Sequence, residues 1–254
     1  GQAFAEYISE AGDPELGDVV IAFGAMDAAF APQEGDLNVY WWTSFGRRDD
    51  RPETYLDHYL EKVTIDPDVI VCLSDLQERE AQQAGYDTFQ LQFAQQGFEP
   101  LGLPRSGLGY AGSIWHKRSE TVKMILDPFR DRADFENVTS LGMPTQLNLW
   151  YNSKLTTFGL FKKEQRDWGI VNNRVYETLA SGTPLILESH PDLDDVIGID
   201  YPFQVSSRSE TIDLVAQICD DPEPILETFR EYSAYVRENH TYRHRVETLV
   251  SELE

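Results

Sequence analysis

The sequence predicts an α/β protein of two halves, each a parallel sheet built from strand–helix units. Three observations carry this. Short apolar runs alternate with amphipathic stretches of helical length over residues 18–93, and again over 109–204, which is the pattern of βα units. The alternation is interrupted at QQGFEPLGLPRS (95–106), where Gly97, Pro100, Gly102 and Pro104 mark a linker. A chain of 254 residues, 41% of them hydrophobic, is also long enough to bury two small cores.

Taken in order, residues 3–11 are expected to be helical. Asp18–Gly24 is a buried strand running into a glycine turn, and Leu37–Trp41 is a second strand followed by a loop with Trp42, Arg47 and Arg48. Trp41 and Trp42 are adjacent, so in a strand they point to opposite faces, one into a core and the other free to stack on a sugar or base. Pro52 opens a helix to about Val63, since proline is tolerated at the first helical position. Asp68–Leu73 is the third strand. Ser74 caps a helix over 75–84, with Glu78 expected to complete a capping box. Gly85 ends it and Thr88–Phe93 is a strand.

The second half repeats the scheme. Gly109–Ser113 is a strand and turn, and a helix then reaches about Leu126. Phe135–Ser140 is a strand, Pro144 opens a helix through Tyr151, and Leu155–Leu160 is a strand. Leu185–Glu188 is a buried strand, Asp192–Ile197 a short helix or turn, and Ile199–Gln204 leads to a sheet edge. From Ser209 onward the pattern is helical, with breaks at Pro222, Pro224 and near Asn239.

Between the last two long strands lies GIVNNRVYETLASGTPLILES (169–189). Asn172 or Asn173 can cap a helix with a short amide oxygen. Val175 and Leu179 share one face and Arg174, Glu177 and Ser181 another. Gly182 and Pro184 end the helix, and Leu185-Ile186-Leu187 begins a buried strand. A helix start with an Arg beside it favours a phosphate, and a Glu one turn in can accept from a ribose diol. A surface helix with an i,i+3 ion pair accounts for the same spacing.

Residues Asn172–Glu177 with Ala180–Pro184 resemble the donor-site helix of group 1 glycosyltransferases of GT-B fold, closest to the CgeB-like (spore-maturation-type) branch. Leu108–Ser113 resembles the first strand and glycine turn of that family's donor domain, and Glu238–Arg245 its C-terminal E-H-T-Y-x-x-R helix. The resemblance implies two Rossmann-like domains facing across a cleft. Residues 1–98 would be a short acceptor-side domain, minimal or truncated, and 99–106 the linker. Residues 107–235 would be the nucleotide-sugar donor domain, and 236–254 a helix crossing back to the first.

It further implies that Glu177 holds the ribose and that Arg174 and the helix start hold the diphosphate. Asn173, Gly112, Ser113, Arg118 and Lys154 would be further donor-site residues, with the backbone N–H groups of Gly112 and Ser113 approaching the leaving phosphate. Asp27, after the first strand and its turn, is the candidate catalytic base or acceptor-orienting group beside Arg174. An unreactive turn carboxylate fits Asp27 equally, and a solvated helix start fits Arg118 and its neighbour Lys117. The wider family often carries a second Glu eight positions before the ribose-binding one; here that position is Gly169.

The implied reaction moves a sugar from a nucleotide diphosphate donor to a glycan or other hydroxyl acceptor, with retention and without a metal. No cofactor is expected beyond the donor co-substrate. The scattered histidines show no ligand spacing, and the formal match Gly107-x-Gly109-x-x-Gly112 has its glycines before and within a strand rather than after it. A non-catalytic nucleotide-sugar or glycan-binding module of the same fold is the alternative, and a glycosyltransferase acting on modified DNA is another.

The net charge of −23 weighs against nucleic acid, whose phosphates need Lys and Arg, and against anionic membrane surfaces. Only six of the 21 basic residues are lysine, and many carboxylates with few lysines resemble halophile composition; an ordinary acidic protein has the same balance. Cys72 and Cys219 form no disulfide framework. With no apolar run of about 20 residues and no leader pattern, a soluble cytoplasmic protein is expected.

Overall fold

The structure is a computed structural model that describes residues 19–23, 37–43, 55–61, 66–114, 119–142 and 144–253. The chain divides into two compact units. The first comprises residues 1–92, 164–170 and 242–254, and the second 93–163 and 171–241. Each is a parallel sheet with helical connections, as the alternating pattern predicts. The expected helix over 3–11, the Pro52 helix start and the glycine turn with Asp27 lie outside the described residues.

In the first unit, β1 (Val19–Phe23), β2 (Leu37–Trp41), β3 (Val69–Cys72) and β4 (Asp87–Gln90) pair in simple order, all parallel. Between them lie α1 (Tyr55–Leu60) and α2 (Asp75–Gln83). The Val-Ile-Val-Cys run of β3 is buried because helices cover parallel sheets. The start of α2 corrects the expected capping box by one residue. Ser74 Oγ accepts from Gln77 N at 3.4 Å, and Gln77 Oε1 reaches back to Leu73 N at 2.7 Å. Gln77 therefore makes the return bond, while Glu78 accepts from Gln90 Nε2 at 2.8 Å on the surface.

The second unit holds β5 (Leu108–Ala111), α3 (Ser119–Ile125), β6 (Phe135–Val138), α4 (Thr145–Ser153) and β7 (Thr156–Gly159). There follow α5 (Lys163–Asp167), whose residues from Glu164 belong to the first unit, α6 (Asn173–Ala180), β8 (Leu185–Glu188) and α7 (Leu193–Ile197). The edge strand β9 (Gln204–Val205), α8 (Arg208–Asp220) and α9 (Pro222–Asn239) complete it, and α10 (Tyr242–Leu253) belongs to the first unit. The expected break at Pro222 and Pro224 is present: α8 ends at Asp220, Asp221 departs from helical geometry (φ −144, ψ 83), and α9 begins at Pro222. Both prolines fall in the first turn of α9, where a missing N–H costs nothing.

The sheet order is β6-β5-β7-β8-β9, all parallel. Tyr110, Phe158, Ile186 and Leu187 of the strands share one buried core with Val175 and Leu179 of α6 and Phe229 and Val236 of α9. Phe158 stacks on Phe129 at 5.3 Å.

The stretch over 99–106 lies on the second unit and is hydrogen-bonded along its length. Leu101 N donates to Asn152 Oδ1 at 2.7 Å, and Asn152 Nδ2 donates to Glu99 O at 2.9 Å. The half-buried Arg105 donates to Tyr151 O, Lys154 O and Thr183 Oγ1 from one nitrogen, at 3.4, 3.1 and 2.8 Å. Its other terminal nitrogen donates to Ser181 O and Gly182 O at 3.4 and 3.0 Å. One guanidinium thus satisfies carbonyls at the carboxyl ends of α4 and α6, where a cation also meets the negative ends of both helix dipoles. Burial, with the nearby Arg230 second, lowers the Arg105 pKa to about 10, so it stays charged at neutral pH.

Arg105→Ala is expected to cost roughly 3 kcal/mol, because several carbonyls lose a charged donor at once. At about 2–4 °C per kcal/mol for a chain of this size, the melting temperature should fall by roughly 6–12 °C. Arg105→Lys should recover only part of the loss, since an ammonium cannot reproduce the fork. Calorimetry of the two variants checks this.

Candidate functional site

Sheet topology picks the location. In the second unit the chain leaves β5 toward β6 on one side and later returns to β7 on the other. A crevice opens where the order reverses, beyond the carboxyl ends of β5 and β7, and this is where open parallel sheets bind ligands. The described strands of the first unit make no such reversal.

Three segments meet in that crevice. They are Ala111-Gly112 at the end of β5, Val138–Leu141 after β6 with Leu147 of α4, and the first turn of α6 with Asn173, Arg174 and Glu177. They line a cavity of about 290 Å³. One end is polar and cationic; the other carries Val138, Leu141 and Leu147.

At the β5 end, the Gly112 N–H donates to Val138 O at 2.7 Å, so of the two turn amides expected to meet a phosphate only that of Ser113 remains. Asn137 Nδ2 donates to the carbonyls of Tyr110 and Gly112, each at 2.9 Å, and holds the turn in place. A side chain at Gly112 would collide with the Arg174 guanidinium and come within 2.8 Å of the Tyr110 hydroxyl. Glycine here both makes room for Arg174 and adopts a φ of +155° that a side chain would strain.

Helix α6 supplies the rest. Asn172 is its cap in extended backbone, yet makes no capping bond with its side chain, and its Oδ1 is buried without a hydrogen-bond partner. Asn173 is the first helical residue and turns its amide elsewhere, donating to Glu177 Oε1 at 2.6 Å. Among the described residues no side-chain capping bond closes the first turn. The sequence expectation that one of the two asparagines would cap it is met in position but not in bonding.

Glu177 is 4% exposed and still lines the cavity. Burial pushes its pKa up from 4.5 to about 7, against the opposing pull of Arg174 and the Asn173 bond. Its second oxygen has no hydrogen-bond partner among the described residues. Arg174 is exposed and makes no ion pair or hydrogen bond among the described residues, so the surface ion pair that could explain this spacing is not formed.

Of the residues singled out from sequence, the structure brings Gly112, Asn173, Arg174 and Glu177 together, with Ser113 next in the chain. Lys154 does not join them. It precedes β7, away from the carboxyl ends, and pairs with Glu136 at 2.5 Å while lying 5.4 Å from the Trp150 ring centre. Asp27 and Arg118 lie outside the described residues. Sequence reasoning missed Val138–Leu141, Leu147 and Asn137. The available signal was that the loop after β6 must border the same crevice once β5 is central.

Residues 111–251 match the family model described as Glycosyl transferase-like. No curated protein sequence matches the chain. Among solved structures, T4 phage BGT in complex with its UDP-glucose substrate is 15% identical, with 85% of this chain and 73% of that one covered at a TM-score of 0.57. A UDP-forming α,α-trehalose-phosphate synthase from Burkholderia vietnamiensis is 12% identical, with 85% and 67% covered at 0.54. TarM is 10% identical, with 99% and 58% covered at 0.56. Another T4 phage BGT structure, at a TM-score of 0.52, contains UDP and Mn2+. At these identities the likeness is one of fold. Among the described residues no helix is long and apolar enough to cross a membrane.

The buried Glu177 carboxyl sets a pH dependence. Its folded pKa lies above its unfolded value, so the folded state holds the proton more tightly. The associated stability is full below about pH 4.5 and is lost as pH rises through about 7. Relative to wild type, Glu177→Gln should therefore gain on the order of 3 kcal/mol between pH 4.5 and 8. Urea denaturation of both proteins across that range tests it; parallel curves would remove the carboxyl from its buried setting.

Proposed function

We propose that this chain, which belongs to the glycosyl transferase-like family, moves a sugar from a nucleoside diphosphate donor, bound in the cavity of its second unit, to a hydroxyl acceptor. The observation that carries the reading is the juxtaposition, around one cavity of the second unit, of a buried Glu177, a helix start without a side-chain cap bond and an Arg174 without an ion pair among the described residues.

In this reading Arg174, the α6 amides and the Ser113 N–H take the diphosphate oxygens. Glu177 accepts from the ribose diol, and the apolar end of the cavity takes the base. The anomeric carbon–phosphate oxygen bond breaks, and the bond from that carbon to the acceptor oxygen forms. The negative charge that develops on the leaving diphosphate is met by a cation and dipoles already in place. Asp27 of the first unit is the proposed acceptor-orienting group or base, and Arg118 a further donor-site cation.

The CgeB-like branch, retention and independence of a metal belong to the same proposal and rest on the motif resemblance. Nucleotide binding that survives EDTA, and a product with the donor's anomeric configuration by NMR, are the outcomes expected. One structural neighbour is described as the DNA-modifying enzyme β-glucosyltransferase; the charge of −23 opposes that reading for this chain.

Thermal shift against UDP, dTDP, CDP, ADP and GDP tests the site. A nucleotide at about 100 times its Kd should add roughly 2.7 kcal/mol to stability. Arg174→Ala and Glu177→Ala should each weaken binding about 10- to 100-fold, the equivalent of a lost charged hydrogen bond. Binding should also tighten as pH rises through about 7, since only the ionised Glu177 accepts from both ribose hydroxyls. Turnover of the matching nucleotide sugar separates a transferase from a binding module, which would bind donor and release no diphosphate.

A further inference from the structure

The start of α6 carries two adjacent asparagines. Asn172 stands at the cap position and Asn173 one residue inside the helix. Residues four apart on a helix are neighbours, and Asn173 Nδ2 donates to Glu177 Oε1 at 2.6 Å. Among the described residues this is the one hydrogen bond of the Glu177 side chain. Glu177 is almost fully buried and lines the cavity, so the contact bears on the rotation of the carboxyl as well as on its charge.

The direction of the bond carries chemistry. An amide can turn its N–H toward a carboxylate or its oxygen toward a carboxylic acid. Here the N–H faces Glu177, and a hydrogen bond to the charged form favours that form. Burial raises the Glu177 pKa to about 7; Arg174, and after it the Asn173 bond, act against burial. From α4, Tyr151 also interacts with the carboxyl. Burial first and Glu177 second raise the Tyr151 pKa, with Tyr110 of β5 acting the same way, so the Tyr151 hydroxyl stays neutral near pH 7. The loop after β6 presents Thr139 and Ser140 to the cavity, and the end of β5 presents Ala111 and Gly112; none of these four titrates.

A diol donates from two hydroxyls, and only a carboxylate accepts on both oxygens. We propose that Asn173 is a positioning residue for donor binding: it does not touch the nucleotide but holds the Glu177 carboxyl, by this one hydrogen bond, as the ionised acceptor of the ribose diol. This rests on the donor-site reading given above, and it changes the part that Asn173 plays there from a donor contact to a support for Glu177.

The experiment follows the Glu177 carboxyl by carbon-13 NMR titration, with the signal assigned by Glu177→Gln, and nucleotide Kd against pH. Wild type, Asn173→Ala and Asn173→Asp are compared, with whichever of the five nucleoside diphosphates binds wild type. In Asn173→Ala the carboxyl midpoint should rise by about one pH unit, the size of one hydrogen bond to a charged group. Kd at pH 7 should then weaken about fivefold, and at about pH 9.5 return to within about twofold of wild type, because the carboxyl is ionised in both proteins. Asn173→Asp keeps the shape but sets a like charge beside Glu177, so its midpoint should rise further. An Asp in the first turn suits a helix start, so this variant decides if Asn173→Ala fails to fold. An unmoved midpoint overturns the proposal. So does a Kd weakened by the same factor at every pH, which would make Asn173 a contact of the nucleotide itself. If none of the five nucleotides binds wild type, the donor-site reading falls, and this inference with it.

Discussion

The architecture of the second unit depends on one guanidinium. Arg105 takes the carbonyls that end α4 and α6, and a buried helix end without such a donor is costly. The same two helices frame the candidate site. Leu147 of α4 and the first turn of α6 line the cavity at one end, while Arg105 holds both helices at the other. Ser233 adds a second tie, donating to Ala180 O at 2.7 Å. With its carboxyl end secured, α6 can leave its amino end without a side-chain cap.

The arrangement separates stability from function along one helix. The last turn of α6 is saturated with hydrogen bonds. The start of the helix carries an orphan Asn172 oxygen, an Arg174 with no ion pair or hydrogen bond among the described residues, and a buried carboxyl whose pKa is pushed up to about 7. Unmet polar groups in a crevice are destabilising by themselves, and they are what a phosphate and a diol would meet. The cost is borne by a sheet and a helix pair that pack tightly around Phe158, Val175, Leu179 and Phe229.

Much of this was legible in the chain. The α/β class followed from alternation, because parallel strands buried on both faces must read as continuous apolar runs such as Val69–Cys72 and Leu185–Leu187. The amphipathic helix followed from spacing, since Val175 and Leu179 can share a core face only if Arg174 turns elsewhere, while its reading as a donor helix came from the motif resemblance. Local rules failed where a tertiary partner outvoted them. Gly97, Pro100, Gly102 and Pro104 have linker composition, yet the stretch they punctuate is held by Asn152 and Arg105, residues distant in sequence or silent about their partners. Lys154 has the charge a phosphate site wants, but its place before β7 gives it to Glu136.

The sequence by itself determined the periodicities, the helix ends and the residue types at the site, because these depend on neighbours within a turn or two. Only the tertiary structure decided which strands lie side by side. The reversal around β5 turns separate loops into one cavity, and the burial that raises the Glu177 pKa comes from elements far along the chain. It also decided that Trp168 meets Trp42 across more than a hundred positions. Contacts of that separation are set by the folding of the whole chain, which no local pattern encodes.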